Sequence, residues 1–385
     1  MKVLQLGKYY KPDNGGIETC SFDISEILLS EGHEVSVIAF GNQQKIENID
    51  GALIYRCRQL FKVFSQPISA DYFLYGIRLM RVSDVVHVHL PNYFALFLIL
   101  FCPLSTRIVV HWHSDELGVV KVVLRYLMAP LLILCLLRSK IVIFTTEAYS
   151  KSSYARRFTT QAKARILKFC LPKLDKNVDT FRDTVDENDA SELVEFIKSL
   201  KSQSHILMLS IGRLVPYKGY YEAISKISNF PENFTWVIVG EGALREKLSQ
   251  LIQRKGLQKK VLLLGRVTNL EKDKLFSAAD IFALPSISRA EAFGIVNVEA
   301  LRAGLPIVNF DIPGSGVSEV CGEAGTNTKI NDFTDFWRSV TGLCGSQELR
   351  NEIGDLARHR FSSEFNSKLF RETLLEIYRE LEIAS

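Results

Sequence analysis

The sequence predicts an α/β protein built from two doubly wound, parallel-sheet domains. Three observations point to it. The chain has 385 residues, short apolar runs alternate with helical patterns along most of it, and a charged stretch near the middle interrupts that alternation once. This length exceeds one ordinary core and suits two domains of roughly 150–200 residues each. Apolar runs without polar alternation are strands buried on both faces, and helices between them cover a parallel sheet.

In the first half the predicted strands are Val3–Gly7, Glu34–Phe40, Val85–Leu90, Ile108–Trp112 and Lys140–Thr145, with a helix over Ile17–Glu31. The polar segment Pro172–Gln203 then breaks the rhythm, ending in a helix-like Ser191–Lys201. Strands resume at His205–Ile211, Thr235–Val239, Val261–Leu264, Ile281–Leu284 and Pro306–Phe310, with helices over Ala243–Lys255 and Glu271–Ala278. Leu369, Phe370, Leu374, Ile377 and Leu381 recur at helical spacing and predict a terminal amphipathic helix. The expected boundaries are a first domain over 1–175, a linker over 176–204, a second domain over 205–365, and a helix over 366–385 packing back toward the first domain.

Composition narrows the function classes. With 47% hydrophobic and 23% charged residues the chain is globular rather than disordered. A net charge of +4, spread without a basic stripe, excludes a dedicated nucleic-acid binder. The seven cysteines are scattered without a CxxC pair, and read as small buried residues in a reducing cytosol. Met1-Lys2-Val3-Leu4 reads as the approach to a buried strand rather than a signal peptide. The longest apolar segments, Phe94–Pro103 and Tyr126–Leu137, fall short of the ~18–20 residues that span a bilayer.

Ligands of open α/β sheets bind where strands end and helices begin, and the polar residues cluster at such places. Leu284-Pro285-Ser286 ends a strand, Glu291 sits in the loop, and a helix starts near Gly294 and carries Glu299. A helix start offers N–H groups and a positive dipole to a diphosphate, and Gly294 lets a phosphate approach the backbone. A solvated helix face with a capping carboxylate is the plainer account, weakened by the apolar Phe293, Ile295, Val296 and Val298. Arg213 and Lys218 follow the first strand of the second domain, as diphosphate ligands or as a surface charge pair. Gly240-Glu241-Gly242 follows another strand there and is too short for a dinucleotide fingerprint. In the first domain, Gly15-Gly16 enters a helix and His113 ends a strand within His111-Trp112-His113-Ser114-Asp115. His87 and His89 read as structural, and the neighbourhood supplies no zinc ligand set.

In this order and spacing the motifs resemble glycosyltransferase family 4, a retaining group with the GT-B fold of two Rossmann-like domains and an interdomain cleft. They include Pro12 with Gly15-Gly16 and Glu18, Gly212-Arg213 with Lys218-Gly219, Gly265-Arg266-Val267, Ala279-Asp280, and the Glu-x7-Glu from Glu291 to Glu299. The resemblance implies that the first domain faces the acceptor and the second binds a nucleotide sugar. It implies that Glu291 contacts the donor sugar and Glu299 the ribose, and that Arg213 and Lys218 neutralise the diphosphate with the amides of Gly294 and Ile295. Arg266 and Val267 would meet the base, with Glu241 beside the nucleotide; Gly15 and Gly16 would approach phosphates or acceptor, and His113 would hydrogen-bond the sugar. It implies no metal and no cofactor, and front-face attack rather than a covalent glycosyl-enzyme.

The stretches around His87-Val88-His89-Leu90-Pro91-Asn92 and His113 are similar to bacterial mannosyltransferases of O-antigen and surface glycans. The expected reaction moves mannose from GDP-mannose to a lipid-linked glycan acceptor. A UDP-glucose or UDP-N-acetylglucosamine enzyme of the same family is the alternative, and an inactive glycan-binding relative is the alternative from another class. A lipid-linked acceptor implies a cytoplasmic enzyme peripheral to the inner membrane surface. Lys121, Arg125, Arg138 and Lys140 around Val119–Leu137 fit either an interfacial helix or core packing.

Overall fold

The computed structural model describes residues 1–13, 15–63, 66–115, 123, 126–170, 195, 197–199, 205–227 and 231–383. The expected linker over 176–204, apart from residues 195 and 197–199, lies outside them, as do Lys121 and Arg125. The chain forms two units, Met1–Phe169 with Lys368–Ser385, and Cys170–Ser367.

In the first unit the strands are β1 (Lys2–Leu6), β2 (Glu34–Gly41), β3 (Lys45–Ile49), β4 (Ala52–Arg58), β5 (Phe61–Val63), β6 (Gln66–Ile68), β7 (Val85–Leu90), β8 (Arg107–Trp112), β9 (Ser139–Phe144) and β10 (Ala164–Ile166). Eight of them make one sheet in the order β10-β9-β8-β7-β1-β2-β4-β3, while β5 and β6 pair apart. All its pairings are parallel except the edge pair β3–β4. Continuous apolar runs form the centre, where every residue of β7 is buried. The polar, largely exposed β3 blunts the edge, and the apolar-run criterion did not find it, nor β4, β5, β6 and β10.

The sheet winds one way from β1 to β2 and the other way from β7 to β8, so the order reverses between β1 and β7. The Gly16–Ser30 helix after β1 buries Cys20, Phe22, Ile24, Ile27 and Leu28 against the sheet. The terminal Ser367–Ile383 helix belongs to this unit and buries Phe370, Leu374, Ile377, Tyr378 and Leu381. Each such side chain contributes about 1.5–3 kcal/mol gross. Polar contacts set its register: Arg165 donates to both carboxylate oxygens of Glu380, at 2.9 and 2.5 Å. The Tyr378 hydroxyl lies 2.7 Å from His87 Nδ1.

The second unit holds β11 (Ile206–Ile211), β12 (Phe234–Val239), β13 (Val261–Gly265), β14 (Ile281–Leu284), β15 (Ile307–Asp311) and β16 (Gly325–Lys329). They form an all-parallel sheet in the order β13-β12-β11-β14-β15-β16. Trp236 anchors its core: the indole donates to Ser210 Oγ at 2.9 Å and packs edge-on against Trp337, 5.4 Å between centroids. All seven cysteines are free, and Cys344 alone is not fully buried.

Candidate functional site

In the second unit the winding reverses between β11 and β14, with β12 and β13 on one side and β15 and β16 on the other. Loops leaving two such strands diverge and open a crevice at their carboxyl ends. After β11 the chain passes Gly212 and Arg213 to a 3-10 turn, Pro216–Lys218, and then Gly219 at φ 69°. A Cβ on Gly219 would collide with the Pro285 carbonyl oxygen after β14, and Ile287 N donates to Tyr217 O at 2.9 Å. The two loops are thus pressed together, and Lys218 Nζ lies 2.5 Å from Glu291 Oε2. The same carboxylate oxygen accepts from Ser286 Oγ at 3.0 Å. With side chains only 7% and 13% exposed, this ion pair is largely withdrawn from water. Beside it the buried Tyr220 hydroxyl has no hydrogen-bond partner among the described residues. Burial, followed by the nearby Glu291 charge, pushes that phenol well above its ordinary pKa.

Glu291 is fixed at its backbone as well: its N–H donates to Ser288 O at 3.0 Å, and its carbonyl accepts from Ser315 Oγ. Gly294 at φ 74° then turns the chain into the Ile295–Arg302 helix, and no side chain caps that start. Its first N–H groups and positive dipole end are therefore available to an anion. Val298, Ala300 and Leu301 bury the helix, which rules out the solvated-face account. Glu299 lies one turn further on, nearly buried, and pairs with Lys272 from the Asn269–Ala278 helix.

Around this pair stand the other predicted residues. Arg213 is exposed and donates to Tyr217 Oη at 3.3 Å. Gly240, at φ 137°, abuts the Gly212 carbonyl, and Leu214 N donates to Glu241 O at 2.9 Å, so the Gly240-Glu241-Gly242 turn braces the loop after β11. Glu241 pairs with Arg245 at 2.9 Å, and a Cβ on Gly265 would approach its carboxylate to 2.9 Å. Arg266 is exposed and Val267 partly so, just past β13. All these residues gather at the carboxyl ends of β11–β14, and among the predicted ones Lys218 and Glu291 form an ion pair through their side chains. Ser286 was read as the end of a strand, whereas Tyr220 and Lys272 were missed because nothing local marks them: Tyr220 matters through its place beside Glu291, and Lys272 through a partner 27 positions away.

In the first unit, Gly15 and Gly16 follow β1, and His113 follows β8. Gly15 is extended, and a Cβ there would collide with the Glu18 carboxylate. The first glycine therefore accommodates a negative side chain. His113 heads a ladder of imidazoles: His87 and His89 alternate on β7, and His111 on β8 and His113 just after it stack beside them. Ring centroids lie 4.6 Å apart for His87–His89 and 4.0 Å for His111–His113. His89, expected as a structural histidine, reaches His113: its Nδ1 lies 2.9 Å from His113 Nε2. Trp112 Nε1 donates to Asp115 Oδ1 at 3.0 Å, which makes Asp115 a loop brace.

Burial pushes all four histidines below their ordinary pKa, His89 to about 3, with neighbouring imidazoles adding to the effect at His87, His111 and His113. The unfolded chain therefore binds more protons below about pH 6.5, and stability is lost as pH falls through that window, at most about 1.4 kcal/mol per histidine per pH unit. Urea unfolding at pH 7.5 and 5.5 should show a clear drop at the lower pH. Equal stabilities would contradict neutral, buried rings. As metal ligands, His87, His89 and His111 offer nitrogens within 4.8 Å of one another. The His87 and His89 planes lie only 4° apart, however, so their in-plane lone pairs run side by side instead of converging on one ion.

Residues 14–166 match the family described as Glycosyltransferase Family 4, and residues 192–360 match Glycosyl transferases group 1. The chain is 26% identical to O-antigen chain mannosyltransferase C of Escherichia coli, covering 99% of each. It is also 26% identical to the D-rhamnosyltransferase WbpZ of Pseudomonas aeruginosa, over 95% of this chain and 93% of the relative. Among solved structures, Anabaena HepE in complex with UDP-glucose superposes with a TM-score of 0.73 at 17% identity, covering 99% of this chain and 100% of that one.

Proposed function

Because the chain belongs to the glycosyltransferases, with a Family 4 first domain, a group 1 second domain and the GT-B fold, we propose that it transfers mannose with retention from GDP-mannose to a lipid-linked glycan acceptor. The observation that carries this is the Lys218–Glu291 pair at the β11/β14 switch point, beside an uncapped helix start. In the proposed reaction the donor's diphosphate lies at that helix start. Lys218 and Arg213 neutralise the charge that grows on the departing diphosphate, and the amides of Gly294 and Ile295 hydrogen-bond to it. Lys218 is already held by Glu291, so little side-chain freedom is lost when the phosphate arrives. Glu291 orients sugar hydroxyls and Glu299 the ribose, with Arg266, Val267 and Glu241 on the nucleoside side. From the first domain, His113 accepts from a sugar hydroxyl, while Gly15 and Gly16 border the acceptor. Glu18 behind Gly15 favours a neutral hydroxyl partner there over a phosphate.

Mannose is supported by the name of the full-length E. coli relative. A UDP-sugar enzyme is the second reading, favoured by the UDP-glucose complex of HepE. A thermal-shift series with GDP and UDP separates them, because a nucleotide at 100 times its Kd stabilises by about 2.7 kcal/mol. A larger rise in Tm with GDP is the expected result. A larger rise with UDP would replace mannose by a UDP-linked sugar.

The proposed site of action is the inner membrane surface, where a lipid-linked acceptor would be met. Among the described residues no helix is long and apolar enough to cross a membrane. Phe97, Leu100, Phe101 and Leu104 are exposed, as are Tyr126, Leu127 and Leu137 on the neighbouring helical segment. Arg138 ties the two together by donating to the carbonyls of Ile99, Cys102 and Pro103 at 2.7, 3.0 and 3.1 Å. It therefore serves as a brace, and the apolar side chains are what this reading assigns to the lipid surface.

A further inference from the structure

The proton positions along the histidine ladder follow from its hydrogen bonds, beginning at Gln5, fully buried on β1. Its Nε2 donates to the Ser21 carbonyl at 3.2 Å and to Ser25 Oγ at 2.8 Å. Ser25 gives its single hydroxyl proton to the same carbonyl at 3.0 Å and accepts from the Tyr10 hydroxyl at 3.0 Å. Both groups facing that end of the amide are therefore acceptors, which locks its nitrogen toward the helix and its oxygen toward β7. Gln5 Oε1 accepts from Ser21 Oγ at 2.8 Å and lies 2.7 Å from His89 Nε2. An amide oxygen only accepts, so His89 Nε2 carries the proton. Buried and neutral, His89 has one proton, and its Nδ1 is a bare acceptor. That nitrogen lies 2.9 Å from His113 Nε2, which must donate. His113 Nδ1 is then the unprotonated one, and it makes no hydrogen bond among the described residues. Stacking on His111, 4.0 Å between centroids with planes 20° apart, holds the ring in place while the relay holds its proton.

Taking His113 as the sugar contact proposed above, we infer that Gln5 and His89 are positioning residues that hold His113 in its Nε2–H tautomer, so that Nδ1 presents an acceptor to a donor-sugar hydroxyl. The opposite tautomer would present an N–H there and reverse the direction of the hydrogen bond. In a Gln5→Leu variant the His89 proton is free to move to Nδ1, which turns His113 into the acceptor of that pair and moves its own proton to Nδ1.

The test is a long-range 1H–15N correlation spectrum of the full chain labelled at histidine, with His113 assigned through His113→Gln. Nε2 protonated and Nδ1 bare is the expected result for the unliganded wild type, and a protonated Nδ1 overturns the inference. The wild-type spectrum decides the tautomer whether or not the variants fold. Gln5→Leu should populate the Nδ1–H form and lower kcat roughly tenfold, with the nucleotide-induced Tm rise retained. His89→Asn, which can place a carboxamide oxygen near the Nδ1 position, should restore the wild-type tautomer and most of kcat. An unchanged tautomer and kcat in Gln5→Leu would also overturn it. No turnover with any nucleotide sugar, alongside an Nε2–H His113, would count against the proposed function and not against the relay.

Discussion

Replacing Glu291 with alanine is expected to lower kcat for sugar transfer by about 10²–10³-fold, the loss typical of one preorganised electrostatic contact at a reacting centre. Lys218→Ala should do the same, since the two side chains form one unit at 2.5 Å and their effects should not add. Each alanine also strands the other charge in a pocket where the side chains are only 7% and 13% exposed. Breaking such a pair costs about 3–5 kcal/mol when it is fully buried, and somewhat less here. Glu291→Gln separates the two effects. The amide keeps the size and can still accept from Ser286, now 3.0 Å from the carboxylate. It should therefore retain most of the stability in urea unfolding while losing activity. A Glu291→Gln enzyme with near wild-type kcat would remove Glu291 from the site.

Gly219→Ala is expected to destabilise the protein by about 3 kcal/mol and to depress transfer. The left-handed backbone at φ 69° costs an alanine about 1–2 kcal/mol. The added Cβ would also overlap the Pro285 carbonyl, and forcing packed loops apart costs about 1–3 kcal/mol more. That movement displaces Lys218, one residue away. Gly256→Ala is the matched control: its φ is 68°, but a Cβ there meets nothing within 4 Å. It should cost only about 1–2 kcal/mol and leave kcat unchanged. Equal losses in the two variants, by urea unfolding, would mean that the contact between the loops contributes nothing.

The central strands were legible because burial on both faces leaves them mostly apolar: β7, β12 and β14 are buried throughout, with His87, His89 and Thr235 as their polar positions. The elements that were not read are those whose pattern is mixed. β3 is largely exposed, β10 is three partly buried residues, and the Gln347–Glu364 helix is mostly polar, with Gly354, Ala357 and Phe361 as its buried residues. Within the site, the helix start at Gly294 and the position of Glu291 before it could be read locally. Their union with Lys218 could not. It arises because β11 pairs with β14, with Met208 opposite Ile281, a neighbour relation set by sheet topology. The histidine ladder shows the same limit. Alternation put His87 and His89 on one face of a strand, and only the pairing of His89 with His111 across β7 and β8 revealed that His89 reaches His113.

The most direct measurement is transfer of labelled mannose from GDP-mannose to a lipid-linked acceptor extract, by purified wild-type enzyme and by Lys218→Ala. Labelled lipid product formed by the wild type, and reduced at least about a hundredfold in the variant, is the predicted result. Equal product from both proteins would contradict a donor site built on the Lys218–Glu291 pair.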